Sequence, residues 1–444
     1  MMPVRFDDSF SALVKALEPH VDAAFIEGGV ALRDASGRLT FFAPRAAASE
    51  DEHSLLSEAL TKALGAYARP DRPIVFADDP GAARILSSTQ RVPIVVDDRF
   101  CQLLDRRIVG AAWLDAPAPL ATRPPRVVFA TLKGGVGRST ALAIAAADLA
   151  RRNRNVLVVD LDLEAPGLGE LILDGDRRPM FGAVDFLVEN GLGGVPDGAL
   201  QDFVGASALT SAGGGRVDVV PALGARSAEF PQNVLPKLSR AMIEDVTEAG
   251  SVSVAQQIST MIERLTAAGG YDVVLIDSRA GLSELAAPAV IGLGATVLLF
   301  GTAQKQTIEG YRALFSGLQL LAQRDLAEGR EADWRGALRP VYAKSSQDPK
   351  IGQRYLDDLY ELYSEHLYDA ETEGTEGLDV ESLLRYPRED RAAPHSPLVI
   401  PFNPTFIDFD PSRIPEQLSQ SFYEQTYRSF LLGLDDIITS SLSE

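Results

Sequence analysis

The segment KGGVGRST, residues 133–140, constrains the fold of this chain more than any other feature. A turn so rich in glycine lets consecutive backbone N–H groups point toward one anion. A basic side chain and two hydroxyls follow the last glycine. An apolar run at 127–130 precedes the segment, and an alanine-rich stretch at 140–150, which favours a helix, follows it. This order of strand, glycine turn and helix predicts a phosphate-binding loop in an α/β domain.

Short apolar runs, separated by stretches with helical patterning, continue along the rest of the chain. Such near-continuous Val, Ile and Leu runs are typical of parallel strands that helices cover on both faces. The runs lie at residues 127–130, 156–159, 217–220, 273–276, 296–300, 340–343 and 398–400. The pattern predicts a doubly wound α/β domain with a mostly parallel sheet.

The residues before this domain have a different pattern, and a proline-rich stretch separates the two parts. Residues 116–125 include four prolines and little that could be buried, which is typical of a linker. The sequence therefore predicts a small α+β domain of unknown role at 1–115, a linker at 116–125 and the α/β domain at 126–444.

Within the first part, alternating residues at 24–32 and an apolar stretch at 39–42 predict a β-hairpin. Helical spacing of leucines predicts a helix at 52–67. Two further apolar runs, at 74–77 and 92–96, predict strands.

Composition excludes several classes of protein. Hydrophobic residues make up 46% and charged residues 23% of the 444 residues, which is the profile of a globular protein. The net charge of −20 argues against broad binding to a nucleic-acid backbone, although a local basic face would permit contact. The single cysteine, Cys101, rules out a disulfide within the chain. A polar N-terminus and the lack of a long apolar run lead us to expect a cytoplasmic protein.

Carboxylates follow two of the apolar runs. Asp160 and Asp162 end the segment that begins at Val156, and Asp277 ends the run at 273–276. Buried carboxylates are costly unless a cation or a proton transfer uses them. Because ligands of open α/β sheets bind at the carboxyl ends of the strands, we expect these side chains near the glycine loop.

The lysine directly before the glycine pair makes the loop resemble the deviant Walker A motif KGGxGK[ST] of the ParA/MinD ATPases. The resemblance covers the chain from about residue 126 onward. It implies that Lys133 reaches the nucleotide of a partner subunit, that Ser139 binds Mg²⁺ and that Thr140 contacts the inner phosphates. The residues implied to bind the nucleotide are Gly134, Gly135, Val136, Gly137, Arg138, Ser139, Thr140, Pro401 and Asn403.

One position departs from the family pattern, because Arg138 stands where the phosphate-binding lysine is usual. The loop therefore resembles a KGGVGR variant subgroup of these ATPases. Arginine keeps the positive charge but is longer and planar, so it does not simply replace lysine. We expect nucleotide binding with slow hydrolysis.

The same resemblance assigns roles to the carboxylates and to the last strand. It implies that Asp162 activates the attacking water, while Asp160 and Asp277 support Mg²⁺ together with Ser139. The segment VIPFNP at 399–404 resembles the family's final strand and base-binding loop, so Pro401 and Asn403 are candidates for contact with the base. The catalytic candidates are thus Lys133 and Asp162.

Several branches of the family require features that this chain lacks. A lone Cys101 cannot supply the cysteine pairs of the iron–sulfur and zinc branches. The C-terminal segment carries an apolar stripe whose spacing is more typical of core packing than of a membrane anchor. The stripe consists of Tyr423, Tyr427, Leu431, Leu434 and Ile438.

These observations favour a switch ATPase in which ATP and Mg²⁺ close a homodimer that signals to a protein partner or to residues 1–115. One alternative is an interaction protein that senses ATP with little hydrolysis. Another is a DNA-partitioning ATPase of the ParA type, which would require a basic face for DNA.

Overall fold

The computed structural model describes residues 4–121, 123–173, 175–207, 214–247, 250–369, 383–411 and 413–443. The chain divides into two compact units. The first consists of Met1–Asp115 and Gln319–Ala332, and the second of Ala116–Leu318 and Asp333–Glu444. The sequence-based division into a domain at 1–115, a linker at 116–125 and a domain at 126–444 stays a prediction. It did not include Gln319–Ala332 in the first unit.

The first unit is an α+β fold around a five-stranded sheet in the order β3-β2-β1-β5-β4. Its apolar side chains, among them Leu13, Leu56 and Phe76, are buried in one core. The elements are α1 (Phe6–Leu17), α2 (Ala23–Gly28), β1 (Val30–Arg33), β2 (Leu39–Phe42), α3 (Glu50–Leu64), β3 (Ile74–Val75), α4 (Ala82–Leu86), β4 (Val92–Val96) and β5 (Arg99–Asp105).

The predicted hairpin is confirmed in part. β1 and β2 pair antiparallel, with Val30 opposite Phe42. The prediction of a strand from residue 24 is wrong, because Ala23–Gly28 is a helix. Asp22 caps this helix by accepting a hydrogen bond from the N–H of Phe25 at 2.8 Å. The alternation at 24–32 therefore includes one helical turn that buries Phe25 and Ile26.

The second unit is the predicted doubly wound α/β domain. Its elements up to the middle of the domain are β6 (Arg126–Thr131), α5 (Arg138–Arg151), β7 (Asn155–Asp160), α6 (Leu168–Ile172), α7 (Ala183–Asn190), β8 (Gly205–Ala206), β9 (Arg216–Val220), α8 (Ala225–Glu229), α9 (Val234–Ala241), β10 (Asp245–Thr247) and β11 (Gly250–Val252). The remaining elements are α10 (Val254–Gly269), β12 (Val273–Ala280), α11 (Ala286–Ile291), β13 (Thr296–Gly301), α12 (Lys305–Ala327), β14 (Leu338–Ser345), α13 (Pro349–His366), β15 (Leu398–Pro401) and α14 (Gln420–Ser443). Of α12, the residues from Gln319 onward are assigned to the first unit.

An eight-stranded sheet in the order β15-β14-β13-β6-β12-β7-β9-β8 organises this unit. Every neighbouring pair is parallel except β8 and β9. The predicted apolar runs all lie in its strands. β6 sits between β12 and β13, so the loop that follows it opens at the carboxyl edge of a fully flanked strand. That position matches the usual ligand edge of open α/β sheets.

The C-terminal helix completes the core on one face of this sheet. Phe430 of α14 lies within 6.3 Å of Phe129 of β6 and 6.0 Å of Phe300 of β13, measured between ring centroids. The predicted stripe from Tyr423 to Ile438 is buried, so its interpretation as core is confirmed. Among the residues that the structure describes, no helix is both long and apolar enough to span a membrane.

One sequence-based expectation falls partly outside the described residues. The acidic segment at 369–391 suggested an exposed helical excursion, and residues 370–382 lie outside the described part of the chain. Residues 383–391 are described and contain no helix, so the expectation is wrong there. Pro387 lies in that stretch and disfavours helix at the residue before it.

Candidate nucleotide-binding site

The glycine loop joins the end of β6 to the start of α5. Gly135 has φ +77° and Gly137 has φ +92°, a backbone region that side chains other than glycine rarely adopt. The glycine spacing is therefore what allows the loop to turn into the first residue of α5, Arg138. A cavity of about 300 Å³ lies over the loop. Its lining includes residues 134–140 together with Thr131, Asp162 and Ala280.

A threonine at the end of β6 anchors the loop. The hydroxyl oxygen of Thr131 lies 2.9 Å from the carbonyl oxygens of both Lys133 and Phe300, and it accepts a hydrogen bond from the N–H of Lys133 at 3.2 Å. Lys133 itself is exposed at the rim of the loop. Its ammonium lies 3.4 Å from the side-chain oxygen of Gln304. The lysine thus does not point over its own loop.

Three carboxylates come together beside the loop. Asp160 ends β7 and lies directly opposite Asp277 of the neighbouring strand β12. Asp162 follows two residues later, and its N–H donates to Asp160 Oδ1 at 3.0 Å. The Ser139 hydroxyl donates to Asp277 Oδ2 at 2.8 Å. Parallel pairing of two strands therefore brings together carboxylates that are far apart in sequence.

Arg138 lies against these carboxylates. Its Nε is 2.6 Å from Asp277 Oδ1 and one of its terminal nitrogens is 3.0 Å from Asp162 Oδ2. The other terminal nitrogen donates to the carbonyl of Ser278. The side chain is buried, and its guanidinium is fully engaged: it neutralises two acidic groups and donates a hydrogen bond to one backbone carbonyl.

Burial controls the protonation of two of these acids. Loss of solvent is the main cause that raises the pKa of Asp160 to about 8, and the charge of Asp277 raises it further. Burial also raises the pKa of Asp277 to about 6, against the opposing effects of Arg138 and Ser139. Burial therefore disfavours the ionised form of both carboxyl groups.

The donor set beside the loop fits a hard divalent cation. Ser139 and the three aspartates offer only oxygen atoms, which Mg²⁺ prefers. Asp160 Oδ2 and Asp162 Oδ1 are buried and accept no hydrogen bond from the described residues. No group of three or more His, Cys, Asp or Glu among the described residues forms an all-protein metal cage.

A second cavity, of about 270 Å³, adjoins the loop on the side of the last strands. Pro401 and Asn403, the two candidates for contact with the base, line it. The Asn403 amide is already engaged: its oxygen accepts from the N–H of Thr405 at 3.0 Å and its nitrogen donates to Thr426 Oγ1 at 2.8 Å. Asn403 therefore shapes the cavity through the loop that it holds.

Two further side chains lie at the site, of which the sequence pointed only to Arg279. Lys344, at the end of β14, donates a hydrogen bond to the carbonyl of Gly135 at 2.7 Å. Arg279 lies 2.5 Å from Glu164 and so links the end of β12 to the turn that follows β7. The sequence signal for Arg279 was its place two residues after Asp277, but no sequence pattern pointed to Lys344.

Comparison with known proteins identifies the domain. Residues 127–297 match the CobQ/CobB/MinD/ParA nucleotide binding domain. No curated protein sequence matches the chain.

Among solved structures, the MinD cell division protein of Aquifex aeolicus is 16% identical, with a TM-score of 0.42 over 71% of this chain and 97% of that one. The Pyrococcus furiosus cell division ATPase MinD is 17% identical, with a TM-score of 0.42 over 71% of this chain and 99% of that one. A ParA family ATPase from Chlorobium tepidum is 15% identical, with a TM-score of 0.42 over 72% and 99%.

Proposed function

We propose that this chain is a switch ATPase that binds ATP with Mg²⁺, a proposal supported by the match of residues 127–297 to the CobQ/CobB/MinD/ParA nucleotide binding domain. The observation that carries the proposal is the convergence of the glycine loop, Ser139 and Asp162 at one cavity, with the buried Asp277 and Asp160 in contact with Ser139 and Asp162. The loop offers N–H groups at the start of a helix, which bind phosphate, and the acids offer the oxygen atoms that a cation needs.

The division of labour follows from the positions of the side chains. The N–H groups of residues 134–140 bind the phosphates, and Thr140 lies between the two cavities, where the inner phosphates meet the nucleoside. Ser139 and Asp277 would hold Mg²⁺, with Asp160 supporting its water shell. The cation would neutralise charge on the outer phosphates.

Asp162 is the proposed base for the attacking water. It lines the phosphate cavity; its buried Oδ1 accepts no hydrogen bond from the described residues and lies 3.9 Å from a guanidinium nitrogen of Arg279. That oxygen would orient the attacking water once the nucleotide is bound. Arg138 contacts the other oxygen at 3.0 Å and keeps the carboxylate in place. Arg138 must leave this pair if it is to contact a phosphate.

Lys133 is proposed to act on the nucleotide of a second copy of the chain. Its side chain is exposed at the rim of the loop and extends to Gln304 instead of covering the phosphate cavity. ATP would then draw two copies together, and release or hydrolysis would separate them. The first unit or a protein partner would respond to the state of the dimer.

A hydrolysis-poor ATP sensor is the second candidate, and the pairing of Arg138 with Asp162 favours it. A carboxylate that is held by an internal guanidinium is less free to turn toward the attacking water. Phosphate release at saturating ATP separates the two candidates, because the sensor binds ATP as tightly as the switch does but releases almost no phosphate.

Calorimetry with ATP, ADP and GTP, with and without Mg²⁺, tests whether the chain binds a nucleotide, on which both candidate functions depend. Binding should also raise the unfolding temperature, since a ligand at a hundred times its Kd stabilises the folded state by about 2.7 kcal/mol. A folded protein without affinity for any adenine or guanine nucleotide would contradict both candidates.

A further inference from the structure

Lys344 has a backbone conformation that its side chain does not favour. Among the described residues, positive φ outside glycine occurs at Asp97, Asp98, Asn153 and Lys344. Asp and Asn adopt this region comparatively easily, whereas Lys gains no such help from its side chain. At φ +52°, Lys344 is therefore a strained residue at the carboxyl edge of the sheet. Strain of this kind persists only where the surrounding structure maintains it.

A bulge in the sheet accounts for this conformation. Ala343 of β14 pairs with Ile400 of β15, but the next pair joins Ser345 to Pro401. Lys344 is thus the extra residue of β14. Bulges of this kind re-aim a side chain that would otherwise follow the pleat.

The re-aimed side chain reaches the glycine loop. The Lys344 ammonium donates a hydrogen bond to the carbonyl of Gly135 at 2.7 Å. Gly135 is one of the two loop glycines with positive φ, so this contact ties down the point where the loop turns. Because a peptide group is planar, fixing the Gly135 carbonyl also fixes the N–H of Val136, which belongs to the same peptide group of the loop.

Lys344 also lies at the border between the two cavities. It lines the cavity of about 270 Å³ beside Pro401 and Asn403. Gly135, Val136, Gly137 and Thr140 line both this cavity and the phosphate cavity. The Lys344 ammonium adds positive charge beside the phosphates, on the side of the loop opposite to the carboxylates. Arg138 lies on the carboxylate side, where it is paired with Asp162 and Asp277.

We propose that Lys344 is a positioning residue for the nucleotide: it holds the Gly135 turn in its phosphate-binding conformation. This inference rests on the proposed function, since it assumes that the loop binds a nucleoside triphosphate. The bulge and the strained backbone are the means by which β14 delivers the ammonium to the loop.

The experiment compares nucleotide affinity with stability in the full-length protein. Lys344→Met removes the ammonium and keeps the length of the side chain, and it should weaken binding of both ATP and ADP about tenfold, as expected for loss of a hydrogen bond from a charged group. Lys344→Arg retains a donor and should recover most of the affinity. Lys350→Met, at an exposed lysine that lines neither cavity, is the matched control and should bind as the wild type does.

Lys344→Gly separates positioning from folding. Glycine accepts the positive φ without strain, so this variant should unfold at the wild-type temperature or above it, yet bind ATP as weakly as Lys344→Met. Wild-type affinity in Lys344→Met and Lys344→Gly would overturn this inference alone. Absence of nucleotide binding by the wild-type protein would overturn the proposed function and this inference with it.

Discussion

The guanidinium Nε of Arg138 lies 2.6 Å from Asp277 Oδ1, and both side chains are buried. The residue that replaces the usual lysine of the loop is therefore paired with the carboxylate proposed to support Mg²⁺. A buried pair of this kind contributes little net stability when intact, but loss of one partner leaves an uncompensated charge and is costly. Mg²⁺ must compete with Arg138 for Asp277, and the phosphates must compete with Asp277 for Arg138. The predictions for Arg138 follow from this competition.

Arg138→Lys should make the protein less stable without ligand and faster with ATP. A lysine ammonium cannot span Asp162 and Asp277 as the planar guanidinium does, so one acid loses its partner. A buried polar group left unsatisfied costs about 1–3 kcal/mol, which thermal unfolding without nucleotide would detect. The Asp162 carboxylate, once free of the guanidinium, should be able to turn toward the attacking water, and phosphate release at saturating ATP should rise several-fold.

Arg151→Lys is the matched control, because Arg151 also pairs with an aspartate, Asp148 at 2.9 Å, but lies in the last turn of the same helix. It should leave phosphate release unchanged. Slower phosphate release in Arg138→Lys than in the wild type would show that Arg138 assists the reaction directly.

Asp162→Asn should retain ATP affinity within about threefold and lower phosphate release about a hundredfold or more, because a general base acts mainly in the transition state. The measurements are calorimetry and single-turnover phosphate release. Glu164→Gln alters an exposed acid in the same loop and should change neither quantity by more than a few-fold. Equal loss of affinity and turnover in Asp162→Asn would instead assign Asp162 to binding.

The parts of the site that local sequence determines could be predicted. Gly135 and Gly137 occupy positions of positive φ that favour glycine, so the spacing of the glycines in the sequence predicts where the loop turns. Asp160 and Asp277 end apolar runs, and parallel strands meet at a common edge, so their proximity followed from the strand pattern.

The parts that depend on distant contacts could not be predicted. The orientation of the Arg138 side chain depends on its contact with Asp277. Asp277 lies close to Arg138 only because β12 pairs with β6. Lys344 depends on a bulge between β14 and β15, which no local pattern indicates. Residues 24–28 had an alternating pattern too short to distinguish a strand from the single turn that Asp22 caps.

The second unit should lose stability as the pH falls below neutrality, in part because of His395. Its side chain is fully buried, with Nδ1 2.7 Å from the Tyr368 hydroxyl and Nε2 3.0 Å from the carbonyl of Arg388. Burial lowers the pKa of His395 below its usual value near 6.5. The unfolded chain therefore binds a proton in a pH range where the folded chain does not. The stabilising contribution is complete above about pH 6.5 and is lost as the pH falls toward the folded pKa.

His395→Gln should reduce this dependence, because the amide remains neutral. The difference between the unfolding temperatures at pH 7.5 and pH 5.5 should be smaller in His395→Gln than in the wild type. His20→Gln, at an exposed histidine, should show the wild-type difference. An unchanged difference in His395→Gln would remove His395 as a cause of acid sensitivity.

Lys133→Ala should leave ATP binding by a single subunit nearly intact and abolish both ATP-dependent dimerisation and hydrolysis. A cationic group delivered from a partner to the transferred phosphate is worth about three to five orders of magnitude in rate. Sedimentation and phosphate release measure the two effects. Lys305→Ala, at an exposed lysine at the start of α12, is the control and should dimerise normally.

Tandem fusions decide which subunit uses Lys133. In the first fusion, a Lys133→Ala subunit is joined to a Gly137→Val subunit, whose loop cannot adopt the positive φ that it needs and so cannot bind ATP. Only the Lys133→Ala subunit of this fusion binds ATP, and that ATP can be reached only by the Lys133 of the Gly137→Val subunit. In the second fusion, both substitutions lie in one subunit, and the wild-type subunit binds ATP opposite a partner that lacks the lysine. Action across the dimer requires hydrolysis in the first fusion and none in the second, and the reverse result would place Lys133 at its own nucleotide.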